Sequence, residues 1–476
     1  MLRSTMVKAH VGVLLCAVLA CYAAAGAEMS NAEKDLEKRL AKRLEWFQDM
    51  KFGFFVHWGI YSQWGCIESW PLIEEDKWAR PDDLPPWVER KKDMETFKRD
   101  YRALNRTFNP RKFEPRTWAE AAKYAGMKYF CFTTKHHDGF CMFDTKQTDY
   151  RITYPDCPYS RTAQPDVAKV LFDTFRDEGF AISAYFSKSD WHHPAYWSPD
   201  APAKTRNPNY DTLKNPEQWR QFVDFVHAQI EELMTGYGKV DILWLDGGQV
   251  RPPQQDIQMD RVAAMARSHQ KNLLIVDRTV GGKHENYRTP EQEVPDKPQQ
   301  FVWESCITMG EQWSYKPNDK YKSSRQLIHL LVDVVAKGGN LILNVGPTSD
   351  GELPPGALER LRDIGDWMKT NGEAIYKTRV LPPYKSGRVC FTRRGGTGYA
   401  IYLCEDGQET PPRKVAINGV VPKRGSKVRL LGAKEQLRWE REGQGISVDV
   451  PQSVIESPPC KHAFVFKMAL DEGERD

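Results

Sequence analysis

Tyr129-Phe130-Cys131-Phe132-Thr133-Thr134-Lys135-His136-His137-Asp138-Gly139-Phe140 is the stretch on which the fold turns. An apolar run of strand length changes abruptly into two imidazoles, a carboxylate and a glycine. A buried strand of a parallel sheet reads as a continuous apolar run, and α/β proteins display their working groups where such strands end. The same switch recurs along the chain. Phe52-Gly53-Phe54-Phe55-Val56 runs into His57-Trp58-Gly59, Val240-Asp241-Ile242-Leu243-Trp244-Leu245 into Asp246-Gly247-Gly248, and Phe301-Val302-Trp303 into Glu304. Four strand ends bearing His, aromatic and carboxylate residues suggest one pocket built by many strands, of a kind suited to a sugar.

Strand-like runs near 52–58, 128–135, 180–187, 239–246, 271–277, 300–305 and 339–345 alternate with amphipathic helical patterns. Thr117–Ala125, Asp166–Glu178 and Glu217–Met234 are three of these patterns, and Arg261–Ser268, Arg325–Ala336 and Ala357–Thr370 are three more. Repeated βα units predict a mainly parallel sheet, and polar C-terminal ends favour a closed (β/α) TIM-like barrel. No eighth strand is evident, so the barrel is expected to be irregular. After residue 376 the pattern changes to short strands at close intervals, near 389–392, 399–403, 413–417, 427–431, 446–450 and 463–466. That spacing predicts a small C-terminal antiparallel β-sandwich. The expected division is 1–27 signal peptide, 28–375 catalytic barrel and 376–476 sandwich. Two long loops, 66–90 and 192–215, are expected beside the barrel mouth.

The first 27 residues have a basic start (Arg3, Lys8), an apolar stretch from Val11 to Ala25 and a small-residue site, Ala25-Gly26-Ala27. They read as a secretion signal too short to span a bilayer. Val18-Leu19-Ala20-Cys21 loosely resembles a lipobox, which leaves a lipid anchor through Cys21 as an alternative to free secretion. The whole chain carries a formal charge of +4; setting aside Arg3 and Lys8 leaves 66 basic against 64 acidic residues. No basic block stands out, so a nucleic-acid partner is not expected. No Gly-x-Gly-x-x-Gly or Walker-type loop follows a strand, and no cofactor is implied. The eight cysteines beyond Cys21 form no Cys-x-x-Cys pair, so a structural zinc site is unsupported. Cys390 and Cys404 flank the turn at Arg394-Gly395-Gly396-Thr397 and are a candidate bridge.

From about Lys51 to Arg379 the chain resembles glycoside hydrolase family 29, the retaining α-L-fucosidases. The resemblance lies in Lys51–Ser62, Thr133–Phe140, Tyr185-Phe186-Ser187, Leu243–Gly248, Thr289-Pro290-Glu291, Trp303-Glu304, Lys337–Pro347 and Asn371–Tyr376, present together and in the family's order. It implies a fucosylated glycan as substrate and Asp246 as the nucleophile. It also implies His57, His136 and His137 as ligands of fucose hydroxyls, with Tyr185 and Trp244 as sugar-contacting aromatics. A retaining glycosidase needs a second carboxyl group, first acid and then base, ~5–5.5 Å from the nucleophile. Two residues match: Glu291, in the loop after the next strand, and Glu304, one unit further on. Glu291 is favoured, because a residue on the adjacent strand's loop reaches the nucleophile's substrate most directly. An apolar wall beside the acting group raises its pKa, as the acid step requires.

Four further expectations can be set against the structure. Successive strand residues point to opposite faces, so His136 and His137 would share a metal ion only if the strand breaks there, and no metal is expected. His192-His193 is a candidate contact for the leaving group. Asp241, at a strand start, is expected to be structural. The family usually carries a Glu-Trp-Tyr after the first strand, which is absent here; Glu68-Ser69-Trp70 and Trp87-Val88-Glu89 are the two candidate replacements. The rival readings are an α-L-galactosidase or related glycosidase on the same fold, and an inactive fucose-binding protein.

Overall fold

The computed structural model describes residues 30–81, 90 and 93–471. The expected signal peptide, with Cys21, and Trp87-Val88-Glu89 lie outside them. The chain divides into two compact units, residues 1–42 and 43–476. Within the first, Ser30 and Glu33 cap helix α1 (Asn31–Met50) reciprocally: the Ser30 N–H donates to the Glu33 carboxylate and the Glu33 N–H to the Ser30 hydroxyl.

In the second unit the elements follow in the order β1 (Phe52–Val56), α2 (Met94–Arg102), α3 (Pro115–Tyr124), β2 (Tyr129–Lys135), α4 (Val167–Asp177), β3 (Ala181–Ser187), α5 (Pro216–Gly236) and β4 (Ile242–Asp246). They continue with α6 (Met259–His269), β5 (Leu274–Asp277), β6 (Glu304–Thr308), α7 (Ser324–Ala336), β7 (Asn340–Val345) and α8 (Pro355–Asn371). The seven strands form one parallel sheet in the order β5-β4-β3-β2-β1-β7-β6. β1, β2 and β7 are buried along their whole length, which is why their sequences do not alternate. Helices α2 and α4 start on aspartate side chains, Asp93 and Asp166, that accept from backbone N–H groups of the first turn. Helix α7 starts on a Ser323/Gln326 capping box. Glycine is required at position 53, where a Cβ would lie 2.3 Å from the ring of Tyr129.

The gap between β5 and β6 is filled, though not by a regular strand. Residues 286–292 run parallel to β6 in two isolated bridges, Arg288 with Trp303 and Glu291 with Cys306. Four backbone hydrogen bonds join them: Arg288 N–H to Val302 O, Glu304 N–H to Arg288 O, Cys306 N–H to Pro290 O and Gln292 N–H to Cys306 O. Toward β5 the segment is held by the Asn286 N–H on Ile275 O, and by the Ile275 N–H on the Asn286 side chain. Pro290 has no N–H to give, and the ladder stays broken. The barrel is thus TIM-like with an irregular eighth staple.

One strand boundary corrects the sequence reading. Phe301-Val302-Trp303 precedes the strand, and Glu304 is the first residue of β6 rather than the last of its strand. Aromatic character marked burial correctly, and Trp303 is buried. Burial does not reveal where strand pairing begins.

Beyond α8 come β8 (Arg379–Ser386), β9 (Val389–Arg394), β10 (Thr397–Leu403), β11 (Lys414–Asn418), β12 (Val428–Leu430), β13 (Gln436–Glu442), β14 (Gly445–Asp449), the short helix α9 (Gln452–Glu456) and β15 (Ala463–Ala469). They make an eight-stranded antiparallel sheet, β11-β14-β13-β12-β15-β10-β9-β8, folded over a core that joins Val415 and Ile417 to Phe391, Phe464 and Phe466. β8 and β13 were not evident in the sequence. The opposite face, with Cys390, Tyr399, Ile401 and Val465, packs into the barrel's own core. The Trp367 indole N–H on Ala463 O and the Thr392 hydroxyl on Ala374 O tie the two together. Cys390 and Cys404 belong to the cores on opposite faces of this sheet and are free thiols, as are all eight described cysteines.

Candidate active site

The C-terminal ends of the barrel strands surround a cavity of about 660 Å³. His57, His136, His137, Tyr185, Trp244, Asp246 and Glu291 all line it; Glu304, His192 and His193 do not.

Asp246 ends β4. Gly247 follows at φ +86°, a left-handed conformation suited to glycine, and its N–H donates to Asp246 Oδ1 at 2.8 Å. Arg278 Nη1 reaches the same oxygen at 3.1 Å, and the Tyr185 hydroxyl donates to Oδ2 at 2.8 Å. His137 Nε2 stands 3.8 Å from Oδ2. Burial pushes the Asp246 pKa up, but Arg278, His137 and the Gly247 N–H outweigh it and hold the carboxyl well below the usual range. The group is therefore a carboxylate at any ordinary pH.

Arg278 directly follows β5. Its other terminal nitrogen binds Glu291 Oε2, so a single guanidinium bridges the Asp246 and Glu291 carboxyl groups. Its signal was in the sequence: Leu274-Ile275-Val276 runs into Asp277-Arg278 with the same switch as the other strands.

The three histidines are fixed from behind. Asn344 Nδ2 donates to Trp313 O, which turns its Oδ1 toward His57 Nδ1 at 2.7 Å. That makes Nδ1 the protonated nitrogen of His57 and leaves Nε2 as an acceptor. Ser69 Oγ holds His136 Nδ1 at 2.6 Å; Ser187 and Ser189 hold His137 Nδ1 at 2.6 and 3.0 Å. Burial pushes His57 down to about 3, His137 to about 4 and His136 well below its ordinary value, so all three are neutral near pH 7.

His136 and His137 face the same way, because the strand breaks before them. β2 ends at Lys135, and the turn that follows, with Gly139 at φ +83°, abolishes strand alternation. The ligand atoms of His136, His137 and Asp246 lie within 4.8 Å of one another. Both Asp246 oxygens are already engaged by Arg278, Gly247 and Tyr185, so a cation would compete with the guanidinium.

Glu68-Ser69-Trp70 enters the site as a unit. Glu68 and Trp70 line the cavity, and Ser69 is the His136 partner. Glu68 accepts from the Ser314 N–H at 2.6 Å, its second oxygen has no protein partner, and burial pushes its pKa up to about 8. A neutral Glu68 can donate a hydrogen bond as well as accept one. Trp78 and Arg206, from the two long loops, complete the rim with Arg251.

Glu304 lies below the cavity. It is fully buried and accepts from the Tyr129 hydroxyl at 2.7 Å and from the Trp244 indole N–H at 3.1 Å. His192 stacks on Tyr150 at 4.0 Å, and His193 packs on Phe225 at 4.2 Å. Asp241 is structural, pairing with Arg43 and accepting the Ile182 N–H.

A family model described as Alpha-L-fucosidase matches residues 17–373. The chain belongs to the alpha-L-fucosidase family. Among curated relatives it is 29% identical to the plasma alpha-L-fucosidase of Homo sapiens over 448 residues, covering 89% of each chain. Among solved structures of the family, alpha-L-fucosidase isoenzyme 1 from Paenibacillus thiaminolyticus aligns at TM-score 0.75 and 30% identity, over 91% of this chain and all of that one. The Thermotoga maritima alpha-fucosidase in complex with fucose aligns at TM-score 0.71 and 28% identity, over 90% of this chain and 98% of that one. The likeness spans the barrel and the C-terminal sheet together. Fold, family and the glycoside hydrolase class agree with the sequence reading. Among the described residues, no helix is long and apolar enough to cross a membrane.

Proposed function

We propose that the protein is a secreted, exo-acting α-L-fucosidase that removes terminal α-L-fucosyl residues from glycans by a retaining double displacement. In this reading residues 1–27 are removed on export, residues 28–375 form the catalytic barrel and residues 376–476 a supporting sandwich. Asp246 attacks the anomeric carbon while Glu291 protonates the departing oxygen. The fucosyl–Asp246 ester then forms, and Glu291, now a carboxylate, takes a proton from the water that cleaves it.

The observation that carries the reading is the Arg278 bridge. It joins an ionised Asp246 at the strand end to a partly exposed Glu291 across one guanidinium. Two carboxyl groups held on one guanidinium face the same sugar, as a nucleophile and its acid/base partner must. Glu304 is the weaker candidate: it sits off the cavity, with Trp244 between it and any sugar. Neutral His57, His136 and His137 suit hydroxyl recognition, since imidazole donates at one nitrogen and accepts at the other. The Thermotoga maritima relative, crystallised with fucose and with a mechanism-based inhibitor, supports the same chemistry.

Turnover of an aryl α-L-fucoside and of the matching α-L-galactoside, by wild type and Asp246→Ala, tests the reading. Fucoside hydrolysis that falls by about 10⁴-fold or more in the variant is expected. A preference for the galactoside changes the substrate assignment. An active variant refutes the mechanism, and fucose binding without turnover by wild type favours a binding protein.

A further inference from the structure

Glu304 has no part in that chemistry, yet a carboxyl group fully buried in a barrel core is costly unless its partners repay it. Its partners lead to the nucleophile. Glu304 Oε2 accepts from the Trp244 indole N–H at 3.1 Å, while Oε1 is held by the Tyr129 hydroxyl at 2.7 Å. Indole has this one hydrogen-bonding group, so the bond sets how the ring lies. The Trp244 ring is stacked on Tyr185, with centroids 5.4 Å apart and planes at 25°, and the Arg278 guanidinium carbon lies 5.0 Å from the Trp244 ring centroid. Those two neighbours are the side chains that engage the Asp246 carboxylate, Tyr185 at Oδ2 and Arg278 at Oδ1.

We infer that Glu304 is a positioning residue: it fixes the Trp244 indole from below, and through that ring the Tyr185 and Arg278 groups that orient Asp246. The inference rests on the reading of Asp246 as the nucleophile. It assigns no proton transfer to Glu304, although burial pushes its pKa up to about 7 against the pull of Tyr129, Trp244 and Tyr287. The Tyr129 anchor explains in turn why residue 53 is glycine, since any Cβ there would displace the Tyr129 ring.

The test measures kcat and KM of the full chain on two aryl α-L-fucosides, one with a good and one with a poor leaving group. The variants are Glu304→Leu and Glu304→Gln, each alone and combined with Trp244→Phe. Misplacing a reacting group by about 1 Å costs up to about 10²-fold, so Glu304→Leu is expected to lower kcat by about that factor, equally on both substrates. Glu304→Gln is expected to stay within about fivefold of wild type, since its carbonyl accepts from the indole and its amide donates to the tyrosine oxygen. With Trp244→Phe the indole N–H is gone, and adding Glu304→Leu is expected to cost no more than about threefold further, a coupled rather than additive pair.

Three results overturn the inference. In the first, Glu304→Gln is as damaging as Glu304→Leu, with a larger loss on the poor leaving group that azide restores, which identifies an acid/base. In the second, a folded Glu304→Leu keeps wild-type kcat. In the third, the losses in the Trp244→Phe pair add. Should Glu304→Leu not fold, Glu304→Gln alone and paired with Trp244→Phe still decides: small and coupled losses support the inference, large or additive losses overturn it. A wild-type chain inactive on both fucosides is a different failure, that of the fucosidase reading itself.

Discussion

Removing Arg278 should move the acid limb of the pH–rate profile upward. Arg278 is the largest of the influences that hold Asp246 ionised, with Nη1 3.1 Å from Oδ1. A unit charge pair about 4 Å apart is worth on the order of 4 kcal/mol at an effective dielectric near 20, equivalent to about 3 pH units. Glu291 shares the guanidinium and tempers its field, so a shift of about 1–3 units is the working figure, as for other Asp–Arg pairs. The sign follows from the groups that stay. Burial continues to push the Asp246 pKa up, and the Gly247 N–H remains as weaker opposition. In Arg278→Gln, Asp246 therefore takes up a proton within a pH range where it stays charged in wild type. The assay is kcat/KM on an aryl α-L-fucoside from about pH 3 to 9, with activity re-measured at pH 7 after each acid exposure to separate titration from unfolding. Wild type should show little or no loss on the acid side above the stability limit. Arg278→Gln should show a reversible acid limb within that range, where wild type shows none. An acid limb that coincides with wild type, whatever the loss in amplitude, refutes the argument that Arg278 keeps Asp246 ionised.

Glu291→Ala should cost about 10²–10⁴-fold on glycosides with poor leaving groups and far less on an activated aryl fucoside, with azide restoring turnover. A uniform loss without azide rescue counts against its role. Glu68 titrates near 8 when folded against 4.5 as a free side chain, so its contribution to stability is full below about pH 4.5 and is lost as pH rises toward 8. Glu68→Gln should therefore flatten the fall in Tm between pH 5 and 8, a difference on the order of a few kcal/mol; parallel Tm curves for the two proteins would contradict a neutral buried Glu68. Trp70→Ala should raise KM more than it lowers kcat, because the ring lines the cavity without touching Asp246, and an unchanged KM would exclude it from sugar contact.

The parts of the fold that could be read from sequence are those where one physical signal dominates. β1 and β2 are buried from end to end and β4 as far as Leu245, and each apolar run stops where the chain meets the cavity. His57, His136, His137 and Asp246 therefore announced themselves by position. Arg278 carries the same signal at the end of β5, where Asp277-Arg278 follows the apolar Leu274-Ile275-Val276. Glu304 was misplaced because Phe301-Val302-Trp303 is apolar in the way a strand is, whereas pairing with β7 starts at Glu304 opposite Asn340. The shared orientation of His136 and His137 turns on a similar boundary. Alternation holds only while the strand lasts, and the chain leaves it one residue before His136. Of the two candidates for the missing tripeptide, Glu68-Ser69-Trp70 lies on the cavity, but no property of those letters distinguishes them from an ordinary loop.

The eighth staple was illegible because it is chemically unlike a strand, and that unlikeness bears on its use. Tyr287-Arg288-Thr289-Pro290-Glu291-Gln292 has no apolar run and contains a proline, so neither β-propensity nor periodicity marks it. It is held by four backbone bonds on the β6 side and by the Asn286 contacts on the β5 side. A segment tied mainly along one edge costs little to displace, compared with β4, which is paired on both sides. The side chains follow suit: Asp246 is 16% exposed and Glu291 43%. A nucleophile must keep one geometry and one charge, which suits a carboxylate pinned by Arg278, Tyr185 and the Gly247 N–H on a fully paired strand. A group that gives a proton to one oxygen and later takes one from water has to reach two positions and exchange with solvent. Breaking the barrel's ladder at Pro290 gives Glu291 that freedom. In this reading the irregularity at the seam is where the barrel yields strand regularity to proton transfer, and a regular eighth strand that pinned Glu291 as β4 pins Asp246 would hold it to one position.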